Sequence, residues 1–143
     1  MKKTKILFLC TGNSCRSQMA EGFTKFFWSN FINPKSAGIR KYEVDPLAIK
    51  VMKEEGIDIS NNYSKTIQEL EEKEFDYVIT LCDHARETCP YFPGKILHKG
   101  FPDPPYLTSQ LTNIEDKLKV YRKVRNQIKD FILKLPQHLR LIS

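Results

Sequence analysis

The sequence predicts one small doubly wound α/β domain, with a mainly parallel four-stranded sheet and helices on both faces. Three observations support this fold class. The length of 143 residues is that of a single domain. Strand-like and helix-like segments alternate along the chain. No repeat, low-complexity stretch or linker divides it, so residues 1–143 are expected to form a single domain.

The first strand and helix are predicted by a change in hydrophobic periodicity. Residues 5–10 are continuously apolar, as in a strand that is buried on both faces. Residues 17–29 then place apolar side chains at helical spacing, and Ser14 or Ser17 is a candidate N-cap. A strand followed directly by a helix is the first unit of a parallel sheet.

The middle of the chain predicts an irregular strand and a capped helix. Residues 36–40 are a plausible second strand. Asp45 followed by Pro46 provides an N-cap and a first-turn proline, and Gly56 is suited to the end of that helix. The alternation of strand and helix is therefore repeated.

The second half predicts two more strands and a long helix. Residues 75–82 are rich in β-branched and aromatic side chains, and residues 95–98 form a shorter strand. The last helix is expected to begin at Thr112, with Glu115 completing a capping box and Ile114 beginning its buried stripe. These elements complete the four-stranded sheet.

Composition and charge exclude several classes of protein. Hydrophobic residues make up 41% and charged residues 28%, unlike a disordered chain. No apolar run approaches the roughly 18 residues of a membrane-spanning helix, and the run after the basic N-terminus is too short for a signal peptide. A cytoplasmic protein without a membrane partner is expected. The net charge of +6 suggests nucleic acid, but the cations of residues 117–129 are better explained as a solvated helix face.

The most informative segment is Cys10-Thr-Gly-Asn-Ser-Cys-Arg-Ser17, between the first strand and helix. Small residues before a helix N-terminus form an anion site, and this segment lacks the lysine and second glycine of a nucleotide-binding loop. Arg16 can hold two oxygens of a tetrahedral oxyanion, and the Ser17 hydroxyl can donate to the Cys10 sulfur. These neighbours favour a thiolate that attacks the central atom of the anion. The expected oxyanion-binding residues are Thr11, Gly12, Asn13, Ser14, Cys15, Arg16 and Ser17.

The other cysteines suggest redox chemistry. A disulfide framework is not expected in a reducing compartment. Cys82 ends a predicted strand, as Cys10 does, and the carboxyl ends of strands share one rim of an open sheet. Cys89 lies in the polar segment 83–90, which can be mobile, and two such thiols suit disulfide exchange. Unreactive packing and a zinc site remain alternatives, although the spacing fits no common zinc pattern. Cys15 is expected to be structural or an oxidation liability.

The spacing Cys-x5-Arg-Ser after a first strand resembles the low-molecular-weight protein tyrosine phosphatases and the arsenate reductases that share their fold. Residues 15–22, Cys-Arg-Ser-Gln-Met-Ala-Glu-Gly, are similar to the arsenate reductase branch, because the phosphatases usually have proline at position 18. The resemblance covers about residues 4–135. It implies a low-molecular-weight phosphatase-like fold.

Resemblance to the thioredoxin-coupled arsenate reductases implies roles for five residues. Cys10 attacks arsenate to form a thiol–arsenate adduct, whose oxygens are held by Arg16 and the loop N–H groups. Asp103, in Phe-Pro-Asp-Pro-Pro, protonates the leaving oxygen if burial or the oxyanion keeps it protonated. Cys82 then attacks Cys10 and releases arsenite. Cys89 attacks Cys82, which leaves a disulfide for thioredoxin to reduce.

The implied function is arsenic detoxification by an enzyme whose reducing equivalents come from thioredoxin. Arsenate is the implied substrate, with phosphate and sulfate as analogues, and no bound cofactor, no metal and a monomeric state are expected. The alternative is a low-molecular-weight protein tyrosine phosphatase, because the same loop serves that reaction. Cys82 and Cys89 favour the reductase, since phosphatase chemistry does not use a second pair of thiols.

One departure from the family concerns an alkali ion. Several members hold potassium with residues that match Asn13, Glu21 and Ser36, and with an aspartate that aligns with Lys65. The lysine removes a carboxylate ligand and adds a positive charge. We expect its ammonium group to lie near Glu21 in place of the ion, and activity to be insensitive to potassium.

Overall fold

A computed structural model describes residues 2–88 and 94–140 of the chain. Within these ranges the sheet has four parallel strands in the order β2-β1-β3-β4. The strands are β1 (Thr4–Cys10), β2 (Ile32–Gly38), β3 (Tyr77–Thr80) and β4 (Lys95–His98). The helices are α1 (Arg16–Trp28), α2 (Pro46–Lys53), α3 (Asp83–Thr88), α4 (Pro104–Leu107), α5 (Ile114–Leu133) and α6 (Leu135–Arg140), with a 3₁₀ turn at Ile67–Glu69.

The strand order makes the sheet doubly wound. The chain steps from β1 outward to β2 and then back across β1 to β3. Because parallel connections are right-handed, steps in opposite directions place their helices on opposite faces. The predicted fold class is therefore confirmed, and the sheet is parallel throughout.

The core is built around the central strand β1. Its residues 6–10 are all buried, as expected for a strand covered on both faces. Helix α5 packs against α1 and α2 through a buried stripe that includes Leu118, Ile128 and Ile132. This packing fixes the carboxyl end of β1, where Cys10 lies.

Two strands differ in extent from the prediction. Strand β2 begins at Ile32 and not at residue 36, and Pro34 lies inside it. Proline is tolerated there because β2 is an edge strand, so its missing N–H costs no ladder bond on the open side. Strand β3 covers Tyr77–Thr80 and not 75–82, although Leu81 still donates a backbone hydrogen bond to Leu9.

The caps of two helices also differ from the prediction. Helix α1 has Cys15 at its N-cap position without a side-chain cap bond, so neither Ser14 nor Ser17 serves there. Helix α5 is capped by Asn113 and not by Thr112, because the Asn113 side chain accepts hydrogen bonds from the first-turn N–H groups. Ile114 is 51% exposed and does not begin the buried stripe.

The segment after Cys82 begins with a helix that the sequence did not predict. Helix α3 covers Asp83–Thr88, and the mobility expected of residues 83–90 stays a prediction. Cys89, which follows this helix, lies outside the described residues. The expected position of the third relay thiol therefore stays a prediction.

Three cations of α5 form ion pairs. Arg122 and Arg125 both contact Glu54, at 2.8 and 2.7 Å, and Lys129 contacts Glu55 at 2.7 Å. Arg122 and Lys129 are partly exposed, whereas Arg125 is buried between α5 and α2, so these cations serve the packing of the helix. In the described ranges, no helix is long and apolar enough to cross a bilayer.

Candidate active site

The loop between β1 and α1 is held from outside through its carbonyl groups. Each carbonyl of residues 10–15 accepts a hydrogen bond, mostly from the backbone of the chain that follows β2. The donor–acceptor pairs are Ile39 N to Cys10 O, Arg40 N to Thr11 O, Tyr42 N to Gly12 O, Ser64 Oγ to Asn13 O, Asp45 N to Ser14 O and Met19 N to Cys15 O. Within residues 2–88 and 94–140, the N–H groups of Gly12, Asn13 and Ser14 have no protein acceptor. They are therefore free to donate to a bound oxyanion, and the predicted oxyanion-binding role of this loop stays a prediction.

Asn13 organises the loop through both its backbone and its side chain. Its φ of 50° lies in the left-handed region, which asparagine adopts more readily than most residues. Its Oδ1 accepts hydrogen bonds from Gln18 Nε2 and from the Lys65 backbone N–H, at 3.1 and 3.0 Å. Its Nδ2 donates to Ser17 Oγ at 2.8 Å. Asn13 therefore connects the loop to α1 and to the segment before the 3₁₀ turn.

The contact between Asn13 and Ser17 sets the direction of the next hydrogen bond. Cys10 Sγ lies 2.8 Å from Ser17 Oγ. Because Ser17 accepts from the Asn13 amide, its hydroxyl hydrogen is free to point at sulfur. Ser17 is thus a donor to Cys10, and this hydrogen bond holds the sulfur at the start of the loop. Cys10 is buried, so this donor acts away from competing water.

Gly38, the last residue of β2, leaves space for the loop. A Cβ atom at this position would lie 2.7 Å from the Asn13 nitrogen and 2.8 Å from the Thr11 carbonyl oxygen. Both are backbone atoms, so the loop would have to move. The glycine is therefore required by the close approach of two backbone segments.

We expect Gly38→Ala to lower both the stability and the activity of the enzyme. Forcing a methyl group against backbone costs about 1–3 kcal/mol, and relief of the clash displaces the loop. Thermal unfolding and aryl phosphate hydrolysis by the same preparation measure the two effects. Gly56→Ala is the control for activity: its φ of 78° makes alanine strained there, so stability is expected to fall, but a Cβ meets nothing within 4 Å and the oxyanion loop is not displaced. Normal activity of Gly38→Ala would contradict this account of the loop.

The side chains of Arg16 and Asp103 lie together. Arg16 Nη1 donates to the Phe101 carbonyl oxygen at 3.1 Å, and its Nη2 lies 3.6 Å from Asp103 Oδ2. Arg16 is 7% exposed, whereas the Asp103 side chain is 43% exposed. Of the two expected means of keeping Asp103 protonated, burial is therefore not available. A bound oxyanion beside it remains the expected means.

Cys82 lies at the same rim as the loop. Its Sγ is 3.3 Å from the hydroxyl of Thr11, which is the residue that follows Cys10. Its sulfur also accepts a hydrogen bond from the Ala85 N–H of α3, at 3.3 Å. The second thiol therefore has two polar partners at the rim, the Thr11 hydroxyl and the Ala85 N–H. Cys10, Cys15 and Cys82 are free thiols.

Cys15 has different surroundings from the other two thiols. It is buried, and burial raises the pKa of its thiol well above the usual value, with the Asp45 carboxylate adding to the effect. Asp45 is fixed by hydrogen bonds from Leu47 N–H and Tyr121 O–H. A thiol held in its neutral form is a poor nucleophile, which fits the structural role predicted for Cys15.

Lys65 was expected to lie beside Glu21, but the lysine that pairs with Glu21 is Lys25. Lys25 Nζ lies 2.8 Å from Glu21 Oε2, and Ser36 Oγ donates to Glu21 Oε1 at 2.7 Å. Lys65 instead donates to the Tyr63 carbonyl at 3.4 Å. Burial lowers the pKa of Lys65, while Glu21 opposes this shift. Lys65 is thus within the electrostatic reach of Glu21, but the cation that pairs with Glu21 is Lys25.

We expect potassium and sodium chloride at equal ionic strength to give equal rates, because Glu21 already has a cation and a hydroxyl as partners. Turnover at several salt concentrations measures this. Lys65→Asp, which leaves the backbone contact to Asn13 in place, is expected to introduce a preference for potassium. Clear activation of the unaltered enzyme by potassium would contradict the expectation.

His98 is a residue that the sequence did not single out. Its ring connects the end of β3 to the start of α3, because it contacts Thr80 Oγ1 at 2.8 Å and Asp83 Oδ1 at 3.2 Å. A sequence offers no signal for such a contact, since the three residues belong to three elements. Among the described side chains, no group of three or more His, Cys, Asp and Glu could hold a metal ion.

Comparison with known proteins agrees with this geometry. Residues 5–141 match the family described as low molecular weight phosphotyrosine protein phosphatase. An arsenate reductase of Halalkalibacterium halodurans is 50% identical over 131 residues, which are 90% of this chain and 91% of that protein. A solved arsenate reductase in the phosphate binding state is 34% identical with a TM-score of 0.70, over 98% of this chain and 99% of that one. Another, in an oxidized state, is 32% identical with a TM-score of 0.71, over 90% and 93%. The chain thus belongs to the low molecular weight phosphotyrosine protein phosphatase family, in its arsenate reductase branch.

Proposed function

We propose that this protein reduces arsenate to arsenite, using Cys10 as the nucleophile and Cys82 as the thiol that completes the reduction. The observation that carries the proposal is the 3.3 Å contact between Cys82 Sγ and the Thr11 hydroxyl. It brings a second thiol to the oxyanion loop, where hydrolysis of a phosphate ester needs only one. The whole chain, residues 1–143, is proposed to act as one domain.

The first step is formation of a thiol–arsenate adduct. Arsenate binds to the loop N–H groups and to Arg16, which is buried beside them. The Cys10 thiolate, stabilised by the Ser17 hydroxyl, attacks arsenic. An S–As bond forms, and one As–O bond breaks. The leaving oxygen departs as water after taking a proton from Asp103, which lies next to Arg16.

The second step transfers two electrons to arsenic. The Cys82 thiolate attacks Cys10 Sγ, and a disulfide forms between the two residues. The electron pair of the S–As bond passes to arsenic, which changes from As(V) to As(III) and leaves as arsenite. The contacts of Cys82 with the Thr11 hydroxyl and the Ala85 N–H keep its sulfur at the rim for this attack.

The third step regenerates the nucleophile. Cys89 attacks Cys82, frees Cys10 as a thiolate, and leaves a disulfide between Cys82 and Cys89. A thioredoxin dithiol then supplies two electrons and two protons to restore both thiols. We propose thioredoxin as the donor and the cytoplasm as the compartment, because the cycle needs a reducing environment. No bound cofactor or metal enters these steps.

Hydrolysis of aryl phosphates is a second candidate activity. The family match and the complete oxyanion loop favour it, because Cys10, Arg16 and Asp103 are the groups that such a reaction uses. It would proceed without Cys82. We propose it as a side activity that reports on the loop alone.

An assay of arsenite release tests the proposed function. The purified protein is mixed with arsenate, thioredoxin, thioredoxin reductase and NADPH, and arsenite is quantified alongside NADPH oxidation. One arsenite per NADPH is expected, and no turnover when thioredoxin is left out. A mixture with glutathione and glutaredoxin in place of thioredoxin tests the donor. Absence of arsenite in every mixture, with aryl phosphate hydrolysis retained, would favour the phosphatase.

A further inference from the structure

We infer that His98 is a positioning residue for the transfer of electrons from Cys82. Through Asp83 it holds the first turn of α3, and with it the Cys82 sulfur, against the rim that carries Cys10. The inference rests on the proposed function, because it assigns His98 to the second step of that reaction. It concerns a residue that touches neither arsenate nor a reacting sulfur.

The imidazole ring of His98 connects three elements at the carboxyl edge of the sheet. Nδ1 lies 2.8 Å from Oγ1 of Thr80, the buried last residue of β3. Nε2 lies 3.2 Å from Oδ1 of Asp83, the first residue of α3. His98 itself is the last residue of β4, and its side chain is 22% exposed. The ring therefore joins the fixed sheet to the start of the helix.

Both ring nitrogens of His98 have a polar neighbour. Nδ1 forms a hydrogen bond with the Thr80 hydroxyl, and Nε2 faces Oδ1 of Asp83, whose side chain is 77% exposed, at 3.2 Å. The Thr80 hydroxyl is buried, so it keeps this partner without competition from water. Arg86 Nη2 lies 3.6 Å from the same Asp83 oxygen. Asp83 is thus held by His98 from the sheet and by Arg86 from its own helix.

The first turn of α3 determines the surroundings of Cys82. Ala85 N–H donates to Cys82 Sγ at 3.3 Å, and Arg86 N–H donates to the Cys82 carbonyl at 3.1 Å. Both bonds exist only while this turn is formed. A helix of six residues is unstable by itself, so it needs a tertiary contact to persist. Asp83 is the residue that follows Cys82. Its contact with His98 is the tertiary contact that anchors the helix.

Two substitutions separate the two contacts of the ring. His98→Asn keeps a polar atom near the position of Nδ1, for Thr80, but is too short to reach Asp83. His98→Gln places an amide nitrogen near the position of Nε2 and keeps the reach to Asp83. If His98 positions Cys82 through Asp83, the Asn variant loses function and the Gln variant recovers it.

For His98→Asn we expect kcat for arsenite release to fall about fivefold, the size of effect that a partly exposed pair has. The KM for arsenate and the rate of aryl phosphate hydrolysis are expected to stay unchanged, because the oxyanion loop does not contact His98. His98→Gln is expected to restore most of kcat. An unchanged kcat in His98→Asn, or an equal fall in kcat and in aryl phosphate hydrolysis, would overturn the inference.

A second measurement does not depend on arsenate. Amide hydrogen exchange, followed by NMR in the fully reduced protein, reports on the first turn of α3. In His98→Asn the N–H groups of Ala85 and Arg86 are expected to exchange faster, and in His98→Gln to exchange as in the unaltered protein. Equal protection in all three proteins would refute the anchor. If the unaltered protein forms no arsenite, the proposed function fails, but this exchange experiment still decides whether His98 holds α3.

Discussion

Cys82→Ser is expected to abolish arsenite release while leaving aryl phosphate hydrolysis intact. A serine hydroxyl is not ionised near neutral pH and does not displace arsenic from a thiol–arsenate adduct. Arsenite release should therefore fall by at least about 10³-fold, as when a nucleophile is removed. Serine still accepts the contacts from Thr11 and Ala85 that Cys82 has, so the start of α3 is expected to keep its place.

Measuring both activities in the same preparation tests this prediction. Arsenite is quantified in the thioredoxin-coupled assay, and hydrolysis of a chromogenic aryl phosphate is followed in parallel. Cys15→Ser is the matched control, because the loop is proposed to use the backbone N–H of Cys15 and not its thiol, which is buried and has a raised pKa. It is expected to retain both activities. Survival of arsenite release in Cys82→Ser would show that Cys82 is not the second thiol.

Arg16→Lys is expected to lower both activities by about 10²-fold or more, the usual effect of removing a donor to an oxyanion. Lysine keeps the charge but not the planar fork that holds two oxygens at once. It also loses the Nη1 bond to the Phe101 carbonyl, which orients the guanidinium group next to Asp103. The positive charge of the lysine is therefore not expected to restore binding of the oxyanion.

Steady-state kinetics with arsenate and with an aryl phosphate test this expectation. Arg122→Lys is a suitable control, because Arg122 is on the surface of α5 and pairs with Glu54. That variant is expected to keep the kinetics of the unaltered enzyme. A loss confined to arsenate reduction in Arg16→Lys would contradict a shared oxyanion site, since both reactions bind a tetrahedral oxyanion.

The centre of the site could be predicted from the sequence because its chemistry is local. Cys10, Arg16 and Ser17 lie within eight residues where β1 passes into α1, and the structure places Cys10 Sγ 2.8 Å from Ser17 Oγ, as expected. The proximity of Cys82 to this loop could also be predicted from the sequence, because the carboxyl ends of parallel strands share one rim of the sheet. Spacing and strand order were sufficient in both cases.

The supporting contacts could not be predicted, because they join residues that are distant in sequence. His98, Thr80 and Asp83 belong to β4, β3 and α3, and only the folded sheet places them together. The cap of α5 was misplaced by one residue for a different reason. Thr112 and Asn113 are both good capping residues, and the sequence pattern does not distinguish them.

The anchoring of the oxyanion loop has a consequence for how this family can diverge. The groups that hold the carbonyls of Thr11, Gly12 and Ser14 are backbone N–H groups, those of residues 40, 42 and 45. Every amino acid except proline supplies such a donor. The side chains at positions 40 and 42 are therefore free to change without removing these donors, whereas Asp45 also caps α2 through its side chain. Surface shape around the cradle can evolve independently of the cradle, which allows one loop to serve both phosphate esters and arsenate.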